Sequence, residues 1–304
     1  RRPCINKDYV EATTAALNNV AECLDVPAKQ LFPLFNHESR FLLNNRSPTG
    51  ALCHGQLTAA TVETLNNYDG MDYDNYAKRN DKAVSREVFE SFRLNNIMAK
   101  CPTVSAYFKK LNTRRIVLKN KNEVVTYNKQ EDHCEVVENP YTCLLYSALN
   151  FKVNRDMLAV IVSKATVWAS TNQKDGKQII HKDKDTLEDF RVKTLQSEKW
   201  NYLKYKEVPV FSDPEQVVEL AVYLSHNAGN GGGKIMLEDY VRDLQRRLDN
   251  SNNVELRTHF LTSGVSTSKF LEEYKSYVQG NYRWGDNNRK EEVASFVGKI
   301  ISDA

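Results

Sequence analysis

Apolar residues recur at helical spacing through most of this chain. From Tyr9 to Leu24 the positions Val10, Leu17, Val20, Ala21 and Leu24 form a stripe, which predicts an amphipathic helix. A second helix is expected from near Pro27, a residue suited to a first helical turn, to about Phe41. Pro33 within that span should bend it or move its true start later. A third helix, about Thr58 to Leu65, has Thr58 as its N-cap. Further helical patterns cover Pro140 to about Lys152, Arg155 to Ala169, Pro214 to Asn227, Lys234 to Leu248, Ser268 to Tyr277 and Lys290 to Ile301.

Three stretches break this pattern. Asn66 to Asp81 is polar, tyrosine-rich and turn-like. Arg115 to Asn128 places two β-branched runs around Lys119-Asn120-Lys121-Asn122, which predicts a hairpin. Lys174 to Lys206 interleaves lysines with acids and reads as a solvated surface excursion. There is no internal repeat. The pattern predicts a mainly α fold with a small β-hairpin.

Composition narrows the class only slightly. Of 304 residues, 41% are hydrophobic and 27% charged, as in an ordinary globular chain. No apolar run reaches the roughly 18 residues that would predict a membrane span. A net charge of +3 suits an acidic polymer such as a cell wall but is too slight to argue nucleic acid. All six cysteines lie in the first half, and none forms a C-x-x-C pair, so a zinc ribbon is not expected. The even count favours disulfides in an exported protein, with too many pairings for sequence to choose among; buried thiols in a cytosolic enzyme are the other reading. His37, His54, His133 and Cys134 fit no standard metal spacing, and no cofactor is expected.

Glu38 is the residue that changes the picture. Leu31, Leu34, Phe35 and Glu38 fall at i, i+3, i+4 and i+7 and share one helix face. Desolvation there disfavours a charged carboxylate and raises its pKa towards that of a general acid, as protonation of a glycosidic oxygen requires. A Glu turned outward and paired with Arg40 or Arg46 is the bland reading.

The stretch "HESRF" followed by "SPTGALCHGQLT" resembles the first two motifs of the soluble lytic transglycosylases and goose-type lysozymes. Glu38-Ser39 matches the family's helix-ending Glu-Ser. Ser47, Pro48, Gly50 and Ala51 match its Ser-Pro-x-Gly-Ala turn, and Gln56-Leu57 match its Gly-Leu-Met-Gln-Leu segment. Further on, Glu138 to Val153 is similar to the family's Asp-Pro-x-x-Asn helix. Pro214 to Gly233 is similar to its Ala-Tyr-Asn-Ala-Gly motif, with Asn227-Ala228-Gly229 intact, and Phe270 to Tyr282 to its last motif, with Tyr277-Val278.

The resemblance implies a single α+β lysozyme-like domain over 1–304. Its core would be about 8–65, 138–162 and 214–301, split by insertions at about 66–137 (with the hairpin at 115–128) and 163–213. It implies cleavage of the β-1,4 bond between N-acetylmuramic acid, or a modified form, and N-acetylglucosamine in peptidoglycan. Glu38 would be the general acid and then the base. Ser39, Gln56, Asn227 and Tyr277 would touch substrate or hold the acid. For Tyr277 a satisfied core tyrosine is an equal reading, and Asn227 with Gly229 is also read as a helix C-cap.

Two departures shape the expectation. Cys53-His54-Gly55 replaces the family's Gly-Leu-Met, and His226 replaces a tyrosine, so the cleft wall should be reshaped, for example towards glycan lacking N-acetyl groups. The insertions bring Tyr68, Tyr73, Tyr76, Trp168 and Trp200, aromatics suited to stacking on sugars but more often core or surface. Between Glu38 and Asn66 the only other acid is Glu63, which favours the single-acid route of lytic transglycosylases over hydrolysis assisted by aspartates. Asp69, Asp72 and Asp74 would serve only if the tyrosine-rich stretch covers the cleft. The other class is a lysozyme-fold module that binds wall glycan without cutting it. The expected protein is a monomeric bacterial enzyme, secreted or periplasmic after loss of a signal peptide, with glycan strands as partner and no nucleic acid.

Overall fold

Amphipathic runs separated by turn residues give a mainly helical chain. The computed structural model describes residues 9–42, 46–47, 50–128, 139–169, 172–174, 177–179, 201–202, 206–226, 229–250, 260, 263–281, 295–296 and 299. It divides into two compact units: residues 1–157 with 295–304, and residues 158–294.

The first unit opens with α1 (Tyr9–Leu24), matching the predicted stripe; Ala16, Leu17, Val20, Ala21 and Leu24 are buried. Val10, expected on that stripe, is instead 75% exposed. Helix α2 (Ala28–Ser39) keeps Pro33 in its interior without a later start. Proline lacks the N–H that the previous turn would bond, yet burial of Leu31, Pro33, Leu34 and Phe35 holds the segment helical. The helix stops at Ser39, short of the expected Phe41, because Arg40 and Phe41 take left-handed backbone angles, φ 51° and 58°. Helix α3 (Ala59–Asn67) is capped as predicted, with the Thr61 N–H donating to Thr58 Oγ1 at 3.2 Å.

The stretch from Asn66 to Asp81 is not simply turn. A 3₁₀ turn at Tyr68–Gly70 leads to α4 (Tyr73–Lys78), and α5 (Arg86–Glu90), α6 (Leu94–Lys100) and α7 (Pro102–Tyr107) follow. Asp72 and Ser85 cap α4 and α5 through their side chains. The tyrosines turn inward: Tyr68 packs edge-on to Phe89 and Phe92, and Tyr73 and Tyr76 contact Phe89. The predicted hairpin is present, β1 (Thr113–Val117) pairing antiparallel with β2 (Glu123–Tyr127). It leans on α3, and Tyr127 donates its hydroxyl to the Leu57 carbonyl at 2.7 Å.

Pro140–Ser163 forms one helix, α8, where two were expected. Lys152 and Asp156 bridge the expected break at 2.7 Å, and Arg155 bonds the same carboxylate. From Thr142 to Asn154 this helix is buried on every side, which makes it the axis of the first unit. Within it the Tyr146 hydroxyl donates to Asn66 Oδ1 and accepts from the Leu111 N–H, while Asn150 Oδ1 is buried without a hydrogen-bond partner. Two disulfides are closed in this unit, Cys23–Cys101 and Cys53–Cys143. Cys4 and Cys134 lie outside the described residues.

In the second unit Thr166–Ala169, expected as helix, is strand β3. Its β-branched Thr166 and Val167 pair antiparallel with β7 (Lys206–Pro209). Strands β4 (Asn172–Lys174), β5 (Lys177–Ile179) and β6 (Asn201–Tyr202) make a second small sheet, ordered β5-β4-β6, within the stretch expected to be surface excursion; the rest of that stretch lies largely outside the described residues. Helix α9 (Pro214–Ser225) starts with Pro214 in its first turn and Asp213 as cap. Helices α10 (Gly229–Asn250) and α11 (Thr267–Asn281) complete the unit around Leu237, Tyr240, Phe270 and Tyr274. Helix α10 begins earlier than the expected Lys234, and Gly233 explains why glycine is needed: a Cβ there would lie 2.2 Å from Ser225 Oγ. The expected helix at Lys290 to Ile301 lies mostly outside the described residues.

Candidate active site

Glu38 occupies the last turn of α2 and is half-buried. Its face-mates Leu31, Leu34 and Phe35 are fully buried, so packing fixes the helix that carries the acid. Ser39, expected at the substrate, is 1% exposed and turned inward. Its hydroxyl donates to the Phe35 carbonyl at 3.0 Å and accepts from the Phe41 N–H at 3.1 Å. That second bond holds the left-handed turn which ends the helix one residue after the acid. Its role in the structure is to shape this turn.

The Ser-Pro-Thr-Gly-Ala turn follows. Gly50 has φ +86°, a region open to glycine, and its N–H donates to the Ser47 carbonyl at 2.9 Å. The Ala51 N–H donates to Ser47 Oγ at 2.9 Å. Pro48 lies outside the described residues. Chain direction then reverses in a tight loop closed by Leu52 and Leu57, whose backbones bond each other in both directions.

That loop carries Gln56 and is held to α8 at two points. Cys53 is bonded to Cys143, and the Gly55 N–H donates to Ser147 Oγ at 2.9 Å. Cys53 and Gln56 both adopt positive φ, 69° and 48°. Non-glycine residues rarely hold such angles unless their surroundings impose them, and here the disulfide and the paired backbone do so. The Gln56 amide donates through Nε2 to the Cys53 carbonyl at 3.1 Å, which orients its head.

His54 joins the loop to the acid's helix. Its ring centroid lies 6.3 Å from Phe35 and 5.8 Å from Phe41, the residues three before and three after Glu38. It is fully buried, and burial pushes its pKa down to about 3, so the ring is neutral at physiological pH. Nε2 lies 3.5 Å from the Tyr9 hydroxyl, and Nδ1 has no hydrogen-bond partner. Helix α2 and the glutamine loop are thus packed together through an uncharged, largely apolar contact.

Tyr277 belongs to the second unit. On α11 its ring lies 5.9 Å from Tyr240, and it lines a cleft of about 700 Å³ with Asp243, Arg247, Glu272 and Glu273. Glu273 accepts from the Tyr240 hydroxyl at 3.0 Å, and burial with this carboxylate raises the Tyr240 pKa. Asn227 lies outside the described residues; Gly229 opens α10. Of the aromatics considered for sugar stacking, Tyr68 is buried, Trp168 is 40% exposed on β3, and Trp200 lies outside the described residues.

Among the described residues no three His, Cys, Asp or Glu side chains gather as metal ligands; His37 instead packs edge-on to Phe296. Sequence reasoning missed Ser147 and Tyr127, which clamp the glutamine loop from α8 and β2. Nothing local marks either residue, since each acts on a loop distant in sequence. Comparison with protein-family models, curated proteins and solved structures finds no match to this chain.

Proposed function

We propose that this protein cuts the β-1,4 bond between N-acetylmuramic acid, or a modified form of it, and N-acetylglucosamine in peptidoglycan, with Glu38 as the acid. The observation that carries this reading is the packing of the Gln56 loop onto the helix turn that presents Glu38, through His54 against Phe35 and Phe41. Glu38 protonates the leaving glycosidic oxygen and then accepts the proton of the attacking group. The Gln56 amide, oriented by Cys53, hydrogen-bonds the sugar beside the scissile bond. Among the described residues no second acid is placed on the α2 end or the glutamine loop, which supports internal attack by the muramoyl 6-hydroxyl and a 1,6-anhydro product. The two disulfides suit an exported protein that meets cell wall in an oxidising compartment.

The test is digestion of purified sacculi by wild type and Glu38→Gln, with released fragments weighed by mass spectrometry. Wild type should release fragments with anhydro ends and Glu38→Gln none. Reducing ends would replace the transglycosylase assignment with hydrolysis. Glycan binding without release from acetylated or deacetylated sacculi would replace the enzyme reading with a wall-binding module.

A further inference from the structure

The first unit carries a groove between α1 and α2 of about 480 Å³, within the roughly 300–1,000 Å³ range of small-molecule sites. Glu38 is not among its lining residues, although Arg40 and Phe41, just beyond the acid, are. The α1 wall runs from Tyr9 to Asn18, a length of about 13 Å at helical rise. That length suits an extended acyl chain of medium length.

Its chemistry is lopsided. Val10, Leu17, Phe32 and Phe41 supply apolar wall, and the rings of Phe32 and Phe41 lie 5.1 Å apart. Val10 is 75% and Phe32 49% exposed, an unusual amount of apolar surface for neighbours on two packed helices. Among the described residues the charged side chains lining the groove are Lys29 and Arg40, both cations. Among the described residues neither makes an ion pair. Thr13, 5% exposed, lines the same groove one helical turn from Tyr9, whose hydroxyl its side chain faces. Tyr9 and Phe41 both reach His54, and Arg40 directly precedes Phe41.

We propose that this groove binds a single-chain fatty carboxylate, with the acyl chain along Phe32 and Phe41 and the carboxylate on Arg40. Guanidinium takes a carboxylate in two parallel hydrogen bonds, and Lys29 at the other end adds attraction for an anion. The site stands independently of glycan cleavage by Glu38.

Calorimetric titration of the full chain with sodium decanoate, below its micelle concentration, tests this. Saturable one-to-one binding is expected for decanoate and none for decyltrimethylammonium of the same chain length. Arg40→Asn keeps a residue that tolerates the left-handed angle at this position, and it should weaken decanoate binding about tenfold with an unchanged melting temperature. Val10→Glu, at an exposed position, should weaken it similarly by placing a like charge in the groove. Equal binding of the cationic and anionic amphiphiles, or decanoate binding that survives both substitutions, overturns the proposal.

Discussion

The Gly55 N–H donates to Ser147 Oγ at 2.9 Å, and a Cβ on residue 55 would lie 3.1 Å from both Ser147 Cβ and Oγ. The large apolar residue that the lysozyme resemblance leads one to expect here has no room, because the loop backbone sits directly on α8.

Gly55→Ala should therefore destabilise the fold by about 1–3 kcal/mol, as overpacking of a filled interior does, and Gly55→Met by more. Ser147→Ala removes the acceptor of a buried N–H and should cost about 1–3 kcal/mol. Urea unfolding of the singles and of the Gly55→Ala, Ser147→Ala double checks both. The double should be less destabilised than the sum, since alanine at 147 removes the Oγ half of the clash while keeping Cβ.

Replacing Cys53 and Cys143 together by serine opens a loop with 90 residues of separation. A loss of about 2–5 kcal/mol is expected from the freed unfolded chain. If Gln56 acts on the glycan, turnover of sacculi should fall further than the stability loss explains, because the positive-φ backbone at Cys53 and Gln56 loses its anchor. Activity measured well below the melting temperature separates the two effects.

His54 makes acid a destabiliser. Its pKa in the fold is about 3, below the ordinary value of 6.5. The unfolded chain thus takes up a proton that the folded chain refuses. Stability from this group is complete above about pH 6.5 and falls as pH drops towards 3, by at most about 1.4 kcal/mol per pH unit. The His54→Leu variant should lack this share of the acid sensitivity. Paired denaturation curves of wild type and variant between pH 7 and pH 4 would show parallel loss if burial of the neutral ring contributes nothing.

Tyr68 distinguishes core from sugar contact among the insertion tyrosines. It is 4% exposed and wedged against Phe89 and Phe92. Tyr68→Ala should cost about 3–5 kcal/mol of stability while leaving glycan KM unchanged at a temperature where the variant is folded. A raised KM with intact stability would place this ring at the substrate instead.

Local signals were the ones that sequence carried well. The spacing of Leu17, Val20 and Leu24 fixes α1, Thr58 marks the start of α3, and the β-branched runs around Lys119–Asn122 mark the hairpin. Where an outcome depends on a partner far along the chain, the pattern was silent or misleading. Nothing in Val153-Asn154-Arg155 reveals that Asp156 will take both Lys152 and Arg155 and carry the helix through. Thr166–Ala169 is helical by its flanks and a strand by its neighbour β7. Around the candidate site, the buried face of α2 made by Leu31, Leu34 and Phe35 beside Glu38 was legible from its spacing. Ser39 was not, because residue type says nothing of the inward turn that Phe35 and Phe41 impose on its hydroxyl.

Among the described residues the two disulfides are interlaced: the half-cystines run 23, 53, 101, 143, and the bonds join the first to the third and the second to the fourth. Any single backbone cut between residues 23 and 143 therefore leaves at least one bond spanning it. A protease that cuts once in that stretch produces a nick and no released piece until the disulfides are reduced. Electrophoresis of protease-treated protein with and without reductant would display this as one band against two.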